Sequence, residues 1–213
     1  MYNYVLFDLD GTLTDPAEGI TNSVAYSLSK YGIEVSDKKE LYKFIGPPLK
    51  DSYIEYYGFS ESDALQAIEY YREYFKPKGM FENKVYSGVP ELLNTLKQSG
   101  KRVILATSKP EVFSTEILKH FDLYKYFDFV SGATLDGTRS KKADIIAYAL
   151  AEMRITEKEK CLMVGDRAQD INGAIANGID SLGVLYGYGD RAELENAGAT
   201  YIAETVEDII KYV

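Results

Sequence analysis

Short apolar runs alternate with segments of helical periodicity along most of the chain. Five of the runs are bounded by turn residues and predict buried strands, at residues 4–7, 102–107, 127–130, 161–164 and 181–186. The segments between the later runs repeat apolar residues at helical spacing and predict helices. This alternation is typical of an α/β fold, with a Rossmann-like parallel sheet as its core and helices on both faces.

The alternation is interrupted after the first predicted strand. Residues 16–82 show helical periodicity but no clear buried strand, and they predict an all-helical domain inserted into a core formed by residues 1–15 and 83–213. Asp15, Pro16 and Glu18 form a capping signature for its first helix, which is predicted to run to about Tyr31. Tyrosines recur in the insert at helical spacing, which favours a packed bundle core over a surface that stacks against a substrate.

Composition narrows the classes of partner. The 213 residues carry a formal net charge of −9, which repels phosphate backbones and argues against nucleic-acid binding. Cys161 is the only cysteine, lies in an apolar run and is expected to be a buried, inert side chain. No apolar stretch approaches the ~20 residues of a membrane span, and carboxylates interrupt the place where the apolar stretch of a signal peptide would lie. We therefore expect a cytoplasmic protein that is not bound to membranes.

Polar and charged side chains follow several of the predicted strands. Ligands bind at the carboxyl ends of the strands in open parallel sheets. The residues at those ends are Asp8 and Asp10 after the first strand, Thr107, Ser108 and Lys109 after the second, and Asp166 and Asp170 after the fourth. Lys141 and Lys142 begin the helix before the fourth strand, and residues 186–190 follow the last strand, where they either border the pocket or form a plain glycine turn.

This collection of residue types points to phosphoryl transfer. Several carboxylates in one place repel one another, and a hard divalent cation such as Mg²⁺ removes that repulsion. A cation, a lysine and hydroxyl donors together neutralise phosphate oxygens. Asp8 and Asp10 lie two apart in an extended segment and share a face, so one can attack phosphorus while the other transfers protons. Gly11 allows a sharp turn that points backbone amides at the phosphate.

The same residues resemble the four motifs of the haloacid dehalogenase superfamily. "DLDGTLTD" is similar to the first motif, "ILATSK" to the second, a lysine at 141 or 142 to the third, and "MVGDRAQDINGA" to the fourth. The likeness spans residues 4 to about 189, and the four motifs occur in the family's order. The helical insert resembles the mobile cap of the phosphoglycolate phosphatase and β-phosphoglucomutase branch, whose closure excludes water and selects the substrate.

The resemblance implies a role for each catalytic position. Asp8 would be the nucleophile that forms an aspartyl-phosphate, and Asp10 the general acid and base. Thr107 would donate a hydrogen bond to the phosphoryl group, with the amide of Ser108 beside it. Lys142 is preferred over its neighbour as the catalytic lysine, because relatives place the lysine directly before the helix.

The resemblance also implies a Mg²⁺ site and a set of residues that bind the substrate. Asp8, Asp166 and the backbone carbonyl of Asp10 would ligate the metal, and Asp170 would bind it through water or orient Arg167. The residues expected to bind phosphate or substrate are Leu9, Gly11, Ser108 and Lys109 in the core and Gly46 and Lys50 in the cap. Lys50, in the segment "FIGPPLKDS", would contact the leaving group, although a plain connector with an exposed lysine is equally compatible with the sequence.

The leading functional hypothesis is a Mg²⁺-dependent phosphatase that hydrolyses a small phosphate monoester. Its substrate would be phosphoglycolate, a nucleoside monophosphate or a sugar phosphate, and the protein would be a monomer or a homodimer. A sugar-phosphate mutase is the alternative enzyme, because it uses the same catalytic set. A phospho-receiver domain would have adjacent acidic residues and no large insert, and a non-catalytic binding protein would have lost one of the catalytic residues, whereas all are present here.

Overall fold

The computed structural model describes all 213 residues, and the chain divides into two compact units. The core unit comprises residues 1–15 and 85–213, and the cap unit comprises residues 16–84. The sequence placed the return to the core after residue 82, whereas the contacts place it after residue 84. Within the core unit, the amide of Tyr86 donates to the carbonyl of Leu13 at 3.1 Å, so the chain leaves and re-enters this unit at neighbouring points.

Eight strands and eight α-helices make up the regular structure. The strands are β1 (Tyr4–Phe7), β2 (Thr14–Asp15), β3 (Lys84–Val85), β4 (Arg102–Pro110), β5 (Phe129–Ala133), β6 (Cys161–Gly165), β7 (Asp180–Val184) and β8 (Tyr201–Ala203). The helices are α1 (Ala17–Ser29), α2 (Leu49–Tyr57), α3 (Glu61–Phe75), α4 (Val89–Gln98), α5 (Glu111–His120), α6 (Lys142–Glu152), α7 (Ala168–Asn177) and α8 (Arg191–Asn196). None of the helices is both long enough and apolar enough to cross a membrane.

The core unit is built on a six-stranded sheet in the order β5-β4-β1-β6-β7-β8, and every neighbouring pair is parallel. This arrangement confirms the predicted α/β fold. In the register of the sheet, Phe7 of β1 lies beside Leu105 of β4 and Val164 of β6. The residues that follow these three positions therefore emerge together at the carboxyl edge of the sheet.

The centre of the sheet is covered on both faces. Val5, Leu6 and Phe7 of β1 are fully buried, as expected for a central parallel strand. One of the buried clusters joins side chains of β1, β4 and β6 to helix α6 through Leu6, Ile104, Met163, Ile145 and Ile146. Burial of each such side chain contributes about 1.5–3 kcal/mol. Cys161 lies in the same cluster as a free thiol, and burial raises its pKa to about 11.

The cap unit has an aromatic and hydroxyl-rich interior. Tyr53 is fully buried and packs against Phe44, with ring centroids 5.1 Å apart, and against Phe59 at 5.7 Å. The hydroxyl of Ser27 in α1 donates to the carbonyl of Ala67 in α3 at 2.7 Å and ties the two helices together. At least this part of the tyrosine-rich insert therefore forms a packed bundle core.

Two details of the insert differ from the prediction, namely the end of its first helix and the type of helix at residues 38–44. Helix α1 begins directly after Pro16, and the carboxylate of Asp15 accepts a hydrogen bond from the hydroxyl of Tyr188 within the core unit. The helix also ends at Ser29, earlier than predicted. Residues Lys38–Phe44, which show helical periodicity, form a 3₁₀ helix capped by the side chain of Asp37.

Candidate active site

The site lies where β1, β4 and β6 end. Asp8 follows β1 directly, and its amide donates to the carbonyl of Val164 at 2.9 Å, which extends the sheet pairing by one residue. Asp166 follows β6 in the same way, and Thr107 occupies the equivalent part of β4. All three side chains are buried. The parallel register thus brings together residues that are far apart in the sequence.

The segment after Asp8 is a tight turn that packs against Asp166. The carbonyl of Leu9 accepts hydrogen bonds from the amides of Leu13 at 2.9 Å and Thr14 at 3.0 Å. Gly11, within this turn, adopts a left-handed φ of 81°. A Cβ atom on Gly11 would lie 2.1 Å from Oδ2 of Asp166, so only glycine fits here. The amide of Gly11 donates to the carbonyl of Thr14 at 2.8 Å, so Gly11 forms the predicted sharp turn. Its own amide is occupied by this bond, although Gly11 was expected among the residues that bind phosphate.

Lys142 links two of the carboxylates. It is the first residue of α6, and its Nζ lies 2.8 Å from Oδ1 of Asp8, 2.8 Å from Oδ1 of Asp170 and 3.0 Å from the carbonyl of Ala106. Burial opposes the charged form of this lysine, but the carboxylates of Asp170 and Asp8 outweigh burial and raise its pKa. Lys141 is exposed, so Lys142 is the lysine that the fold places among the carboxylates.

Asp8, Asp166 and Asp170 form a buried acidic cluster. Each offers a carboxylate oxygen that lies within 4.8 Å of the others. Burial raises the pKa of Asp166 well above its ordinary value, and the neighbouring charges of Asp170 and Asp8 raise it further. Burial also raises the pKa of Asp170 to about 6, although Lys142 opposes this shift.

The acidic cluster fits a hard divalent cation. It contains three carboxylates but only one directly bound ammonium group, that of Lys142. Oδ1 of Asp8 and Oδ1 of Asp170 are buried and make no well-directed hydrogen bond, although both lie near that ammonium. Buried oxygen ligands with unbalanced negative charge are the donor set that Mg²⁺ prefers. The residues present therefore match the predicted metal.

Asp10 has a separate partner. Its Oδ2 lies 2.5 Å from Nζ of Lys109, and both side chains are buried. Burial raises the pKa of Asp10, whereas Lys109 lowers it. The carboxylate of Asp10 pairs with Lys109 and is not a member of the acidic cluster. This arrangement is compatible with the expectation that Asp10 would bind the metal through its backbone carbonyl.

The remaining residues predicted to bind phosphate or substrate lie in β4 and in the cap unit. Ser108 is half-buried beside Thr107, whose hydroxyl accepts the amide of Lys109 at a long 3.3 Å. In the cap unit, Gly46 adopts a left-handed φ of 104°, and Nζ of Lys50 lies 2.8 Å from Oε1 of Glu61. Lys50 is therefore in an ion pair within the cap unit.

The sequence did not reveal the residues that support Asp166 and the start of α7. The amide of Tyr188 donates to Oδ2 of Asp166 at 2.8 Å. Oε1 of Glu193 accepts both Nε of Arg167 at 2.9 Å and the amide of Ala168 at 2.8 Å, so Glu193 orients Arg167. Asp170 accepts a hydrogen bond from the backbone amide of Arg167 at 3.1 Å.

The one signal for this support was the run "YGYGD" after the last predicted strand. Gly187 and Gly189 lie so close to Asp166 that a Cβ atom on either would come within 2.4 Å of its atoms. A glycine-rich run at the ligand-binding edge of a sheet therefore marked a close backbone approach, not a plain turn.

The fold and the site define a Rossmann-like hydrolase with an acidic centre at the ends of its strands. The chain belongs to the haloacid dehalogenase-like hydrolase family, whose model matches residues 5–184. The resemblance read from the four motifs is thereby confirmed.

The similar proteins include a nucleotidase, a protein kinase and a phosphatase. The chain is 47% identical over 193 residues to a 5'-nucleotidase of Pseudomonas aeruginosa, covering 91% of this chain and 87% of the relative. It is 38% identical over 207 residues to the tyrosine-protein kinase PtkA of Mycobacterium tuberculosis, covering 96% and 70% of the two chains. The crystal structure of a predicted phosphatase from Clostridium acetobutylicum superposes with a TM-score of 0.97 at 55% identity and covers 100% of this chain and 98% of that one. The protein is a phosphatase of this family.

Proposed function

We propose that this protein is a Mg²⁺-dependent phosphatase that hydrolyses a small phosphate monoester through an aspartyl-phosphate on Asp8. The observation that carries the proposal is the buried cluster of Asp8, Asp166 and Asp170, in which Asp8 and Asp170 also bind the ammonium of Lys142. Burying three carboxylates in one place lowers the stability of the fold. Their presence therefore indicates that they serve a function. Phosphoryl transfer requires such a cluster, because the site must hold a cation and a nucleophile together.

The residues of the chain supply the two halves of the reaction. A carboxylate oxygen of Asp8 attacks phosphorus as the bond from phosphorus to the leaving oxygen breaks, and Asp10 gives its proton to that oxygen. Asp10 then takes a proton from water, whose oxygen attacks the aspartyl-phosphate, so that inorganic phosphate leaves and Asp8 is restored. Lys142 and Thr107 offset the negative charge on the phosphoryl oxygens.

Asp8, Asp166 and the backbone carbonyl of Asp10 would hold Mg²⁺, with Asp170 binding it through water. When bound, the metal neutralises part of the charge of the phosphoryl group. Lys142 binds the carboxylates of both Asp8 and Asp170 and thereby fixes their orientation. Tyr188 does the same for Asp166 through its amide.

Among the candidate substrates, the relatives favour a nucleoside 5'-monophosphate. The relative from Pseudomonas aeruginosa that is 47% identical is named a 5'-nucleotidase, whereas relatives named phosphoglycolate phosphatase are 26–28% identical. Specificity within a fold family follows local side chains, and these are shared more fully at higher identity. Phosphoglycolate and sugar phosphates are therefore the comparison substrates.

The test is a phosphate-release assay over nucleoside 5'-monophosphates, phosphoglycolate and sugar phosphates. We expect release with Mg²⁺, loss of release in EDTA and recovery when Mg²⁺ is restored. Asp8→Asn should reduce release to background while the variant remains folded and still binds Mg²⁺. Release that survives EDTA would contradict the metal site, and appreciable turnover by Asp8→Asn would contradict the nucleophile. Conversion of one sugar phosphate to another without phosphate release would instead indicate a mutase.

A further inference from the structure

The two carboxylates of the first motif are each paired with a different lysine. Nζ of Lys142 binds Asp8, and Nζ of Lys109 binds Asp10. The side chains of both lysines are nearly inaccessible to solvent, at 4% and 6% exposure. Buried ammonium groups are unfavourable unless they are paired, so both pairs are specific features of the site. The role of Lys142 follows from the proposed function, but that of Lys109 does not.

The backbone holds Lys109 in one position. It lies in β4 where the register with β5 shifts between Thr107 and Pro110. Its carbonyl accepts the hydroxyl of Ser114 at 3.5 Å, and a Cβ atom on Gly132 of β5 would lie 2.8 Å from the same carbonyl. A strand and a helix therefore enclose the backbone of Lys109, and its side chain extends from a fixed point to Asp10.

The pair makes the two oxygens of Asp10 unlike each other. Oδ2 lies 2.5 Å from the ammonium of Lys109, whereas Oδ1 is buried and has no hydrogen-bond partner. A buried carboxylate oxygen without a partner is unfavourable in the resting protein, and it is the kind of group that a substrate or water satisfies. The geometry points to Lys109 as a positioning residue that holds Oδ2 and thereby presents Oδ1 of Asp10 for proton transfer.

This inference rests on the proposed function and specifies which oxygen atom of Asp10 transfers the proton. As the bond between phosphorus and the leaving oxygen breaks, the proton moves from Oδ1 of Asp10 to that oxygen, and the alcohol departs. In the second half, a proton of the attacking water moves to Oδ1, which restores Asp10. Lys109 exchanges no proton in either half, and its contribution is to fix which oxygen of Asp10 faces the reacting groups.

The inference differs from the expectation that Lys109 binds phosphate. A lysine that binds phosphate contributes to the binding of every phosphomonoester, regardless of its leaving group. A lysine that acts through Asp10 matters most when the leaving oxygen needs a proton, because a poor leaving group depends on the general acid and a good one does not. The two roles therefore predict different dependence on the leaving group.

The test compares 4-nitrophenyl phosphate with phenyl phosphate, which differ little in size but greatly in leaving-group quality. The variants are Lys109→Met, which removes the charge, and Lys109→Arg, which keeps it. We expect Lys109→Met to lower kcat/KM at least tenfold more for phenyl phosphate than for 4-nitrophenyl phosphate, chiefly through kcat. We expect Lys109→Arg to recover most of this difference.

A second pair of variants distinguishes the proposed effect from a general loss of structure. Lys109→Met leaves Asp10 without its partner, so Asp10→Asn and the double variant Asp10→Asn/Lys109→Met are measured alongside it. If Lys109 acts through Asp10, adding Lys109→Met to Asp10→Asn produces no further dependence on the leaving group. A further dependence in the double variant would overturn the inference.

Two other results separate the inference from the proposed function. An equal loss on both substrates with a raised KM would mean that Lys109 binds phosphate, and would overturn the inference alone. Absence of turnover by the wild-type protein with Mg²⁺, or full activity of Asp8→Asn, would overturn the proposed function itself.

Discussion

The core unit and the cap unit bury different kinds of polar group. The buried charged side chains all lie in the core unit: Asp8, Asp10, Lys109, Lys142, Asp166 and Asp170. The cap unit instead buries hydroxyl groups, among them those of the serine and threonine side chains Thr21, Ser23, Ser27 and Ser52. Each of these four hydroxyls donates to a backbone carbonyl within the cap unit.

The difference separates residues that serve chemistry from residues that serve packing. Removing an ion from water costs several kcal/mol even after the protein relaxes, and its partner only partly offsets that penalty. A hydroxyl bonded to a helix carbonyl carries a much smaller penalty. The core unit therefore accepts a loss of stability to hold its charges, and the interior of the cap unit does not.

The sharpest test of this contrast is Lys142→Ala against Lys141→Ala. Removal of Lys142 leaves Asp8 and Asp170 without their ammonium partner and should lower kcat/KM by about 10²–10³-fold. Lys141 is exposed, and its replacement should leave kcat/KM within about twofold of the wild type, as is usual for surface positions. Steady-state kinetics with 4-nitrophenyl phosphate measures both, and equal losses would break the contrast between buried and exposed charge.

A somewhat smaller loss is expected from Gly11→Ala. Both Gly11 and the matched control Gly100 have left-handed φ angles, of 81° and 74°, but only Gly11 has a neighbour, Asp166, in the way of a Cβ atom. Displacing Asp166 should weaken Mg²⁺ binding and lower turnover about 100-fold. Gly100→Ala should lower only stability, by about 1 kcal/mol. Titration calorimetry with Mg²⁺ separates the two effects, and unchanged Mg²⁺ affinity in Gly11→Ala would contradict the proposed site.

The buried carboxylates should also give the metal-free protein an unusual dependence on pH. The pKa of Asp170 is raised from 3.8 to about 6, so the folded state binds more protons than the unfolded state between these values. The stability that this group contributes is present below about pH 4 and is lost as the pH rises through about 6. Thermal unfolding in EDTA should show a Tm that falls across this window by several degrees relative to Asp170→Asn.

Addition of Mg²⁺ should restore stability most strongly at the upper end of that window, where the carboxylates are ionised. A Tm difference between wild type and Asp170→Asn that does not change with pH would show that the shift at Asp170 has been assigned wrongly.

The smallest effect is expected in the cap unit. Lys50 forms an exposed ion pair with Glu61, so Lys50→Ala and Glu61→Ala should both leave Tm essentially unchanged. If Lys50 binds the leaving group of the substrate, Lys50→Ala should raise KM severalfold, whereas Glu61→Ala should not. Equal KM values in both variants would mean that Lys50 serves only as a surface charge.

The sequence predicted the central strands well because burial on both faces makes them continuous apolar runs. β1 lies at the residues predicted, and the predicted strands 102–107 and 161–164 correspond to β4 and β6. β8 was missed, because an edge strand of three residues with an exposed Tyr201 has no apolar run to mark it. The hydrogen bond from the hydroxyl of Tyr188 to the carboxylate of Asp15 was also missed, because the two residues lie far apart in the chain.

The site was predicted where strand ends and motif order determine it. Asp8, Asp166 and Lys142 come together because the register of the sheet fixes the first two and the start of α6 fixes the third. The pairing of Lys109 with Asp10 depends on the direction of a long side chain, which no spacing pattern encodes. Glu193 was missed for a similar reason, since it reaches Arg167 from a separate helix 26 residues later in the chain.

The hydrogen bond between the amide of Tyr86 and the carbonyl of Leu13 has a consequence for how this protein changes in evolution. An insertion whose two ends meet adds little loop-closure entropy to the unit that receives it, and that entropy grows only slowly with the length of the insertion. Residues 16–84 can therefore lengthen, shorten or be exchanged without shifting the register of the core sheet. The core unit can in this way stay unchanged during evolution while the sequence of the inserted cap unit diverges.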